Sequence, residues 1–292
     1  MTSFGVTLPQ FTDDPRRFLS GARLARDLGF DSVWVFDHLW PLGGKRDRPI
    51  LECWTALAHV AAAVPDIGIG TLVTRSSLRE PALLAKMAAT VGAIAPGRLT
   101  VGLGSGDSLN RAENRAFGAP YFTGPDRTAQ LVSTLEVLQR FLKTDRAELN
   151  DGFADVSIPS SPPNEEPVTV WLGGRSVEVL EVAGRVADGW NGWGANLETF
   201  AEDAAKVRSV AGTRAFEVSW AGQVVLGESD DDAREKLGDR DPAQFVVGGP
   251  VTVRKRLAEG IEAGATHLVV ALPDAGRPGA YEALAEALAP LR

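Results

Sequence analysis

The sequence predicts an α/β protein, a (β/α)8 TIM barrel, on three observations. Short apolar runs alternate with longer helical patterns from one end of the chain to the other. Eight such runs occur, each followed by helix, and composition does not shift between the two halves. The rival architecture, a doubly wound sheet in two halves, calls for a glycine-rich dinucleotide motif early in the chain, and none is there. The barrel reading treats residues 1–292 as a single domain.

The elements follow in order. Residues 4–8 read as strand one. Residues 14–28 read as a helix, with Pro15 near its start, apolar Phe18, Leu19, Ala22 and Ala25 on one face, and Gly29 as the stop. Strand two is 32–36, a helix follows over 51–63, and strand three is 67–73. A helix over 80–94 carries Pro81 in its first turn, and strand four is 98–103. A less regular stretch, 105–125, is a short insertion after strand four, and 126–142 is helical. Residues 146–167 are rich in Pro, Ser, Asn and acid, and predict a small hairpin around Asp151-Gly152 before strand five. Strand five is 168–172, with a helix over 176–185. A short strand six is 188–191, with a helix over 197–210. Strand seven is 217–226, with helices over 230–237 and 251–263. Strand eight is 267–272, and a helix over 279–291 closes the chain. No internal repeat is visible beyond this alternation.

Composition narrows the function. Lys and Arg number 30 against 38 Asp and Glu, a formal charge of −8. With no basic run, the chain is a poor partner for nucleic acid, where cations must neutralise phosphates. The first residues show no basic region leading into a long apolar core, so no signal peptide is expected. No run reaches the roughly 18 apolar residues of a membrane span. The expected location is the cytoplasm. The single cysteine, Cys53, excludes an internal disulfide and a Cys-cluster metal site. It lies early in a helix without a basic neighbour and reads as inert. No metal site is expected. The run Asp230-Asp231-Asp232 begins a helix, where the macrodipole favours acid, and reads as a solvated cap. No H-E-x-x-H, P-loop or G-x-S-x-G is present.

Four places carry chemistry. The run Val33-Trp34-Val35-Phe36 ends in Asp37-His38, where a parallel strand would open onto solvent. Imidazole titrates near neutrality and a carboxylate can fix its tautomer, so His38 is an acid/base candidate beside a plainer role at the rim. Gly102-Leu103-Gly104-Ser105-Gly106-Asp107 follows strand four but fails the dinucleotide pattern, since Asp107 stands where the third glycine belongs. It reads either as a tight turn against something flat, with Asp107 as an acid, or as glycine for chain geometry alone. Gly173-Gly174-Arg175-Ser176 ends strand five and opens a helix. It reads as an anion site or as an ordinary Ser176 N-cap. Trp40 and Trp193 sit near strand ends and suit the wall of a pocket; Trp34, Trp54 and Trp171 suit the core, and Trp190 fits either role. His59, within an Ala-rich helix, and His267, at the start of strand eight, read as structural.

Taken in order, these pieces resemble the luciferase-like monooxygenase superfamily, most closely its branch using the deazaflavin coenzyme F420. The matching pieces are Gly29-Phe30-Asp31-Ser32-Val33-Trp34 leading to Asp37-His38, Leu51-Glu52-Cys53-Trp54-Thr55, Gly70-Thr71-Leu72-Val73, and Arg79-Glu80-Pro81-Ala82-Leu83-Leu84-Ala85-Lys86. They continue with Pro96-Gly97-Arg98-Leu99, residues 102–107, residues 173–176, and Ala187-Asp188-Gly189-Trp190-Asn191. The resemblance implies a barrel with a flavin-like ring at the C-terminal mouth. Asp37 and His38 would lie at the reactive face, with His38 as the main acid/base held by Asp37 or nearby backbone, and Asp107 as a second acid. Thr71, Leu72, Val73 and Thr74 would pass beneath the ring, where many members carry a non-prolyl cis peptide. Gly104, Ser105 and Gly106 would border it, and Gly173, Gly174, Arg175 and Ser176 would take the phosphate. Trp40 and Trp193 would wall the substrate pocket. The implied activity is hydride transfer between an organic substrate and F420. The alternatives are an FMN-dependent two-component monooxygenase, supplied by a separate reductase, and a flavin-binding barrel without turnover. Arg75, Arg79, Arg111 and Arg175 are candidates to meet an acidic cofactor tail. A homodimer is expected. Some sugar dehydrogenases of the family use a Glu after the glycine turn where this chain has Asp107. The loops expected to select the substrate are 40–50, 107–125 and 160–166.

Overall fold

A computed structural model describes residues 2–41, 48–159, 165–194 and 196–292; parts of the expected substrate loops 40–50 and 160–166 lie outside these residues. In chain order the elements are β1 (Ser3–Thr7), α1 (Pro15–Asp27), β2 (Ser32–Val35), α2 (Cys53–Ala63), β3 (Gly68–Arg75), α3 (Pro81–Ile94), β4 (Leu99–Gly104), α4 (Arg111–Ala116) and α5 (Gly124–Thr144). There follow β5 (Ala147–Asn150), β6 (Asp155–Ile158), β7 (Thr169–Gly173), α6 (Val177–Val186), β8 (Gly189–Trp193), α7 (Leu197–Ala211) and β9 (Glu217–Leu226). The last are α8 (Asp230–Leu237), β10 (Phe245–Gly248), α9 (Pro250–Glu262), β11 (His267–Ala271) and α10 (Ala280–Leu288). Among the described residues no helix is long and apolar enough to cross a membrane.

The eight expected strands are present, and so is the hairpin, β5 against β6, with Ala147 opposite Ile158 and Asn150 opposite Asp155. Asp151 closes it by accepting the N–H groups of Phe153 and Ala154, both at 2.9 Å. The insertion after β4 is less irregular than expected: a 3-10 turn at Ser108–Asn110 runs into α4. The strand expected at 188–191 extends to Trp193. One strand was not expected. The four residues of β10, between Pro242 and Pro250, are too few to show a period. They pair with the last residues of β9, from Gln223 to Leu226, beyond Ala221, where the pairing of β9 with β8 ends.

The chain divides into two compact units: residues 1–9, 14–34 and 174–292, and residues 10–13 and 35–173. In the first, β9 pairs in parallel with β8, β10 and β11, and β1 pairs in parallel with β11 and β2. Strands buried on both faces need near-continuous apolar sequence, and Phe4, Val6, Val218, Trp220, Leu268, Val269 and Val270 supply it. Tyr281 from α10 ties in through its hydroxyl, donating to Thr7 O at 2.7 Å.

In the second unit β3, β4 and β7 run in parallel. The segment entering from β2 is fixed by Gln10, fully buried: its amide donates to Phe36 O (2.8 Å) and Leu51 O (2.7 Å) and its oxygen accepts from Phe36 N (2.8 Å). Glu52 caps α2 by accepting the N–H groups of Trp54 and Thr55. Arg98 closes the far end of α2, donating to Ala61 O, Val64 O and Ile67 O.

His267 proves structural, as its position at a strand start suggested. Its Nε2 lies 2.8 Å from Ser32 Oγ, which also accepts from Trp34 Nε1 at 2.8 Å, and the indole and imidazole meet edge to face. Gly5 leaves room for this cluster, since a Cβ there would fall 2.5 Å from Ser32 Oγ and Trp34 Nε1. Burial pushes the His267 imidazole down to about 4. The unfolded chain therefore takes up a proton near 6.5 that the folded chain refuses until about 4. Stability present above pH ~6.5 is lost as pH falls toward ~4, by up to about 3 kcal/mol from this group. Urea denaturation at pH steps across that window should show the loss, and His267→Gln should flatten that part of the profile; an unchanged slope in the variant would count against it.

Candidate active site

The second unit gathers most of the candidate residues around the turn after β2. Asp37 is 1% exposed. Its carboxylate accepts from Thr74 Oγ1 (2.6 Å), from the Arg75 N–H (3.1 Å) and from Arg79 through Nη1 (2.6 Å) and Nη2 (3.0 Å). This is a bidentate, buried ion pair. Arg79 also reaches Glu52 Oε1 at 2.5 Å. Burial alone would lower the Arg79 guanidinium, but the Asp37 hydrogen bonds and charge outweigh it and hold it above its ordinary value. Burial would raise the Glu52 carboxyl; the Thr55 and Trp54 hydrogen bonds and Arg79 leave it below its usual range. Cys53, fully buried, is pushed well above the usual thiol value, first by burial and then by the Asp37 charge, and the thiol is inert as its sequence context implied.

His38 stands apart from this pair. The expectation that Asp37 holds the imidazole is corrected: Asp37 is saturated by Thr74, Arg75 and Arg79, and the carboxylate beside His38 is Glu113. Glu113 lies on α4 with no exposed side-chain area, and its Oε2 is 3.3 Å from His38 Nδ1. The same carboxylate accepts from the N–H groups of Leu39 and, at 3.2 Å, Trp40. Burial would raise the Glu113 carboxyl; the His38 bond, the Leu39 N–H and the Arg75 charge reverse this and hold it below its ordinary value. The His38 side chain is 20% exposed, whereas that of Glu113 has no exposed area.

Arg75 completes the cluster. Its Nε donates to Asp37 O (2.9 Å), its Nη1 to Asn114 Oδ1 (2.8 Å), and its Nη2 lies 3.0 Å from Glu113 Oε2 as an ion pair without hydrogen-bond alignment. Burial lowers this guanidinium, and the Glu113 and Asp37 charges oppose that. Arg75 and Arg79, expected to meet an acidic tail, are thus consumed by internal carboxylates. Arg111 is exposed on α4 and lies over the Tyr121 ring. Sequence reading missed Glu113 and Asn114. The one available signal was their placement, three and four residues after Asn110, in an otherwise charged and exposed stretch.

The Leu72–Val73 peptide is cis, and the β3–β4 register shifts between Thr71 and Thr74. Thr71 Oγ1 donates to Gly102 O (2.8 Å), and Thr74 Oγ1 accepts from Trp54 Nε1 (3.0 Å). The glycines of β4 answer to this bulge. A Cβ at Gly102 would sit 2.3 Å from Thr71 O, and one at Gly104 would sit 2.5 Å from Val73 Cγ2. One at Gly173 would meet Val73 Cγ1 at 3.0 Å. Of the two readings of residues 102–107, chain geometry accounts for Gly102 and Gly104. Gly106 has φ +72° and makes the turn. Beyond Ser105 and Gly106, Asp107 is exposed and accepts from Leu109 N (2.8 Å), capping the 3-10 turn. Asn110 Oδ1 accepts from Asp107 N (2.8 Å), and its Nδ2 is buried with no partner. Trp40 meets Phe117 edge to face, with centroids 6.1 Å apart.

The remaining candidates lie in the first unit. Gly174 has φ +132°, and its carbonyl accepts from Trp190 Nε1 at 2.7 Å. Trp190 is fully buried and stacked on Phe200, a core residue. Arg175 Nε pairs with Asp203 Oδ2 at 2.7 Å, and Ser176 caps α6 by accepting from Val179 N. Trp193 is 41% exposed. Arg175, Trp193 and Asn196 line one small pocket together with Trp190 and Trp220.

A model of the luciferase-like monooxygenase family matches residues 2–286, and the chain belongs to that family. Among curated relatives, the F420-dependent glucose-6-phosphate dehydrogenase of Beutenbergia cavernae is 30% identical over 94% of this chain and 93% of its own. Among solved structures, an F420-dependent secondary alcohol dehydrogenase superposes with TM-score 0.84 at 20% identity, over 100% of this chain and 99% of its own. The coenzyme F420-dependent tetrahydromethanopterin reductase of Methanopyrus kandleri gives TM-score 0.79 at 20% identity, over 99% of each chain. At that identity the structural likeness shows the fold, the (β/α)8 barrel.

The two aspartates should separate cleanly. Asp37→Asn leaves a buried guanidinium short of its main counter-charge and should cost about 3 kcal/mol, whereas Asp107→Asn, at an exposed cap, should stay within about 1 kcal/mol. Urea midpoints with unchanged m-values check both, and equal losses would contradict the assignment.

Proposed function

We propose that the protein is an oxidoreductase that moves a hydride between an organic substrate and the deazaflavin coenzyme F420. The observation that carries this reading is His38, a partly exposed imidazole whose Nδ1 faces a fully buried carboxylate. The full-length relative from Beutenbergia cavernae, described as F420-dependent, supports the choice of cofactor. The residues fit such a group in kind. Asn110 Nδ2 is a buried donor that lacks a protein partner and suits a ring carbonyl. The N-terminus of α6, behind Gly174 and Ser176, suits a phosphate. When bound, the deazaflavin supplies a carbon centre that accepts or releases hydride.

The chain's own residues handle the proton. Loss of hydride from a carbon bearing a hydroxyl leaves that hydroxyl's proton to be removed, and His38 takes it; in the reverse direction His38 returns it. Asp107 is proposed as a second acid, and Trp40 and Trp193 as pocket walls. The reading includes a homodimer and a cytoplasmic location. If FMN replaced F420, a separate reductase would supply the reduced cofactor.

Titrating purified protein into F420 should quench or shift its fluorescence saturably; no change at any protein concentration would overturn the cofactor assignment. With an alcohol or sugar phosphate that reduces the bound cofactor, His38→Ala should lower turnover by about 10²–10⁴. Cofactor affinity in this variant should change only a few-fold.

A further inference from the structure

We infer that Glu113 is a positioning residue for His38: it holds the neutral imidazole in the Nδ1–H form and leaves Nε2 as the nitrogen that exchanges protons. This rests on the reading of His38 as the acid/base. The argument is one of donors and acceptors. An ionised carboxylate only accepts, so the contact between Glu113 Oε2 and His38 Nδ1 at 3.3 Å requires the proton to sit on Nδ1.

Everything around Glu113 keeps it ionised and still. Its Oε1 takes the backbone N–H groups of Leu39 and Trp40, the two residues that follow His38. Its Oε2 faces the Arg75 guanidinium at 3.0 Å, and Arg75 is itself anchored on Asp37 O and on Asn114 Oδ1, the next residue of α4. Glu113 therefore binds the imidazole and the backbone just beyond it, so ring and chain turn are fixed by one group. Asn114 sets the helix from its other side, donating to Pro120 O (2.6 Å) and Ser77 Oγ (3.1 Å). A carboxylate placed only for stability would satisfy Arg75 and need not meet the ring.

The test reads the tautomer directly, in cofactor-free protein. Nitrogen-15 spectra of the imidazoles, recorded near pH 9 where unperturbed histidine is neutral, report which ring nitrogen is protonated. The chain has three histidines, and the signals lost in His38→Gln assign His38. The expected result is a proton on Nδ1. A proton on Nε2 in the wild-type protein overturns the proposal. The double variant R75M/E113L removes both buried charges together, an exchange that proteins often tolerate. Its His38 should shift toward the Nε2–H form. Its kcat should fall about 10²-fold or more, as when another carboxylate-held imidazole takes the wrong tautomer, with F420 affinity changed less than about three-fold. An unchanged tautomer in a folded double variant also overturns the proposal. Because the spectra need no cofactor, their outcome is independent of the F420 titration, and failure of one reading is distinguishable from failure of the other.

Discussion

A guanidinium taken out of water costs several kcal/mol unless carboxylates and carbonyls replace its hydration. The second unit buries two of them, Arg75 and Arg79, and the turn after β2 is arranged to meet that demand. Asp37 supplies a bidentate partner to Arg79 and its carbonyl oxygen to Arg75; Glu113 supplies the second charge to Arg75. The consequence is geometric. Because Asp37 is committed to Arg79, it is unavailable to His38, and the adjacent side chain is free to turn toward α4. A strand end carrying two polar residues in sequence thus gives them opposite duties, one in the ion pair and one facing partly outward.

The same economy of space governs β3 and β4. The shift in register between Thr71 and Thr74 drives the Val73 side chain into the neighbouring strands, and Gly102, Gly104 and Gly173 are glycine where it arrives. Thr74, beyond the shift, returns to register and donates to Asp37. The bulge and the ion pair are therefore coupled through one hydroxyl: moving Thr74 would loosen the carboxylate that neutralises Arg79.

Much of this was legible in the sequence where the signal is local. The eight strand runs, the hairpin at Asp151-Gly152, the inert Cys53 and the structural His267 follow from period, turn chemistry and neighbours. The cis peptide at Leu72–Val73 was implied by the family resemblance, whereas no residue there is proline to mark it. What was not legible is pairing at a distance. Arg75 and Arg79 look like free cations because a sequence shows charge but not the carboxylate that consumes it, Glu113 for Arg75 and Asp37 for Arg79. Glu113 sits among Arg111, Asn114 and Arg115, a composition that reads as a solvated face, and only the fold reveals that it has no exposed side-chain area. The four residues of β10 fail for the opposite reason, being too short for any period to register.

A helix of six residues has little stability of its own, since nucleation costs more than one turn of hydrogen bonds returns. α4 is therefore held by what its inward side chains bind, and two of those, Glu113 and Asn114, bind Arg75. It follows that the orientation of His38 is not a property of the strand that precedes it. It depends on a short helix more than seventy residues further along the chain, docked through a buried cation. Trp40 adds a second tie, packing on Phe117 at the end of α4 while its N–H reaches Glu113. Changes at Trp40 would reach the imidazole by this route, through the carboxylate that Trp40 and His38 share.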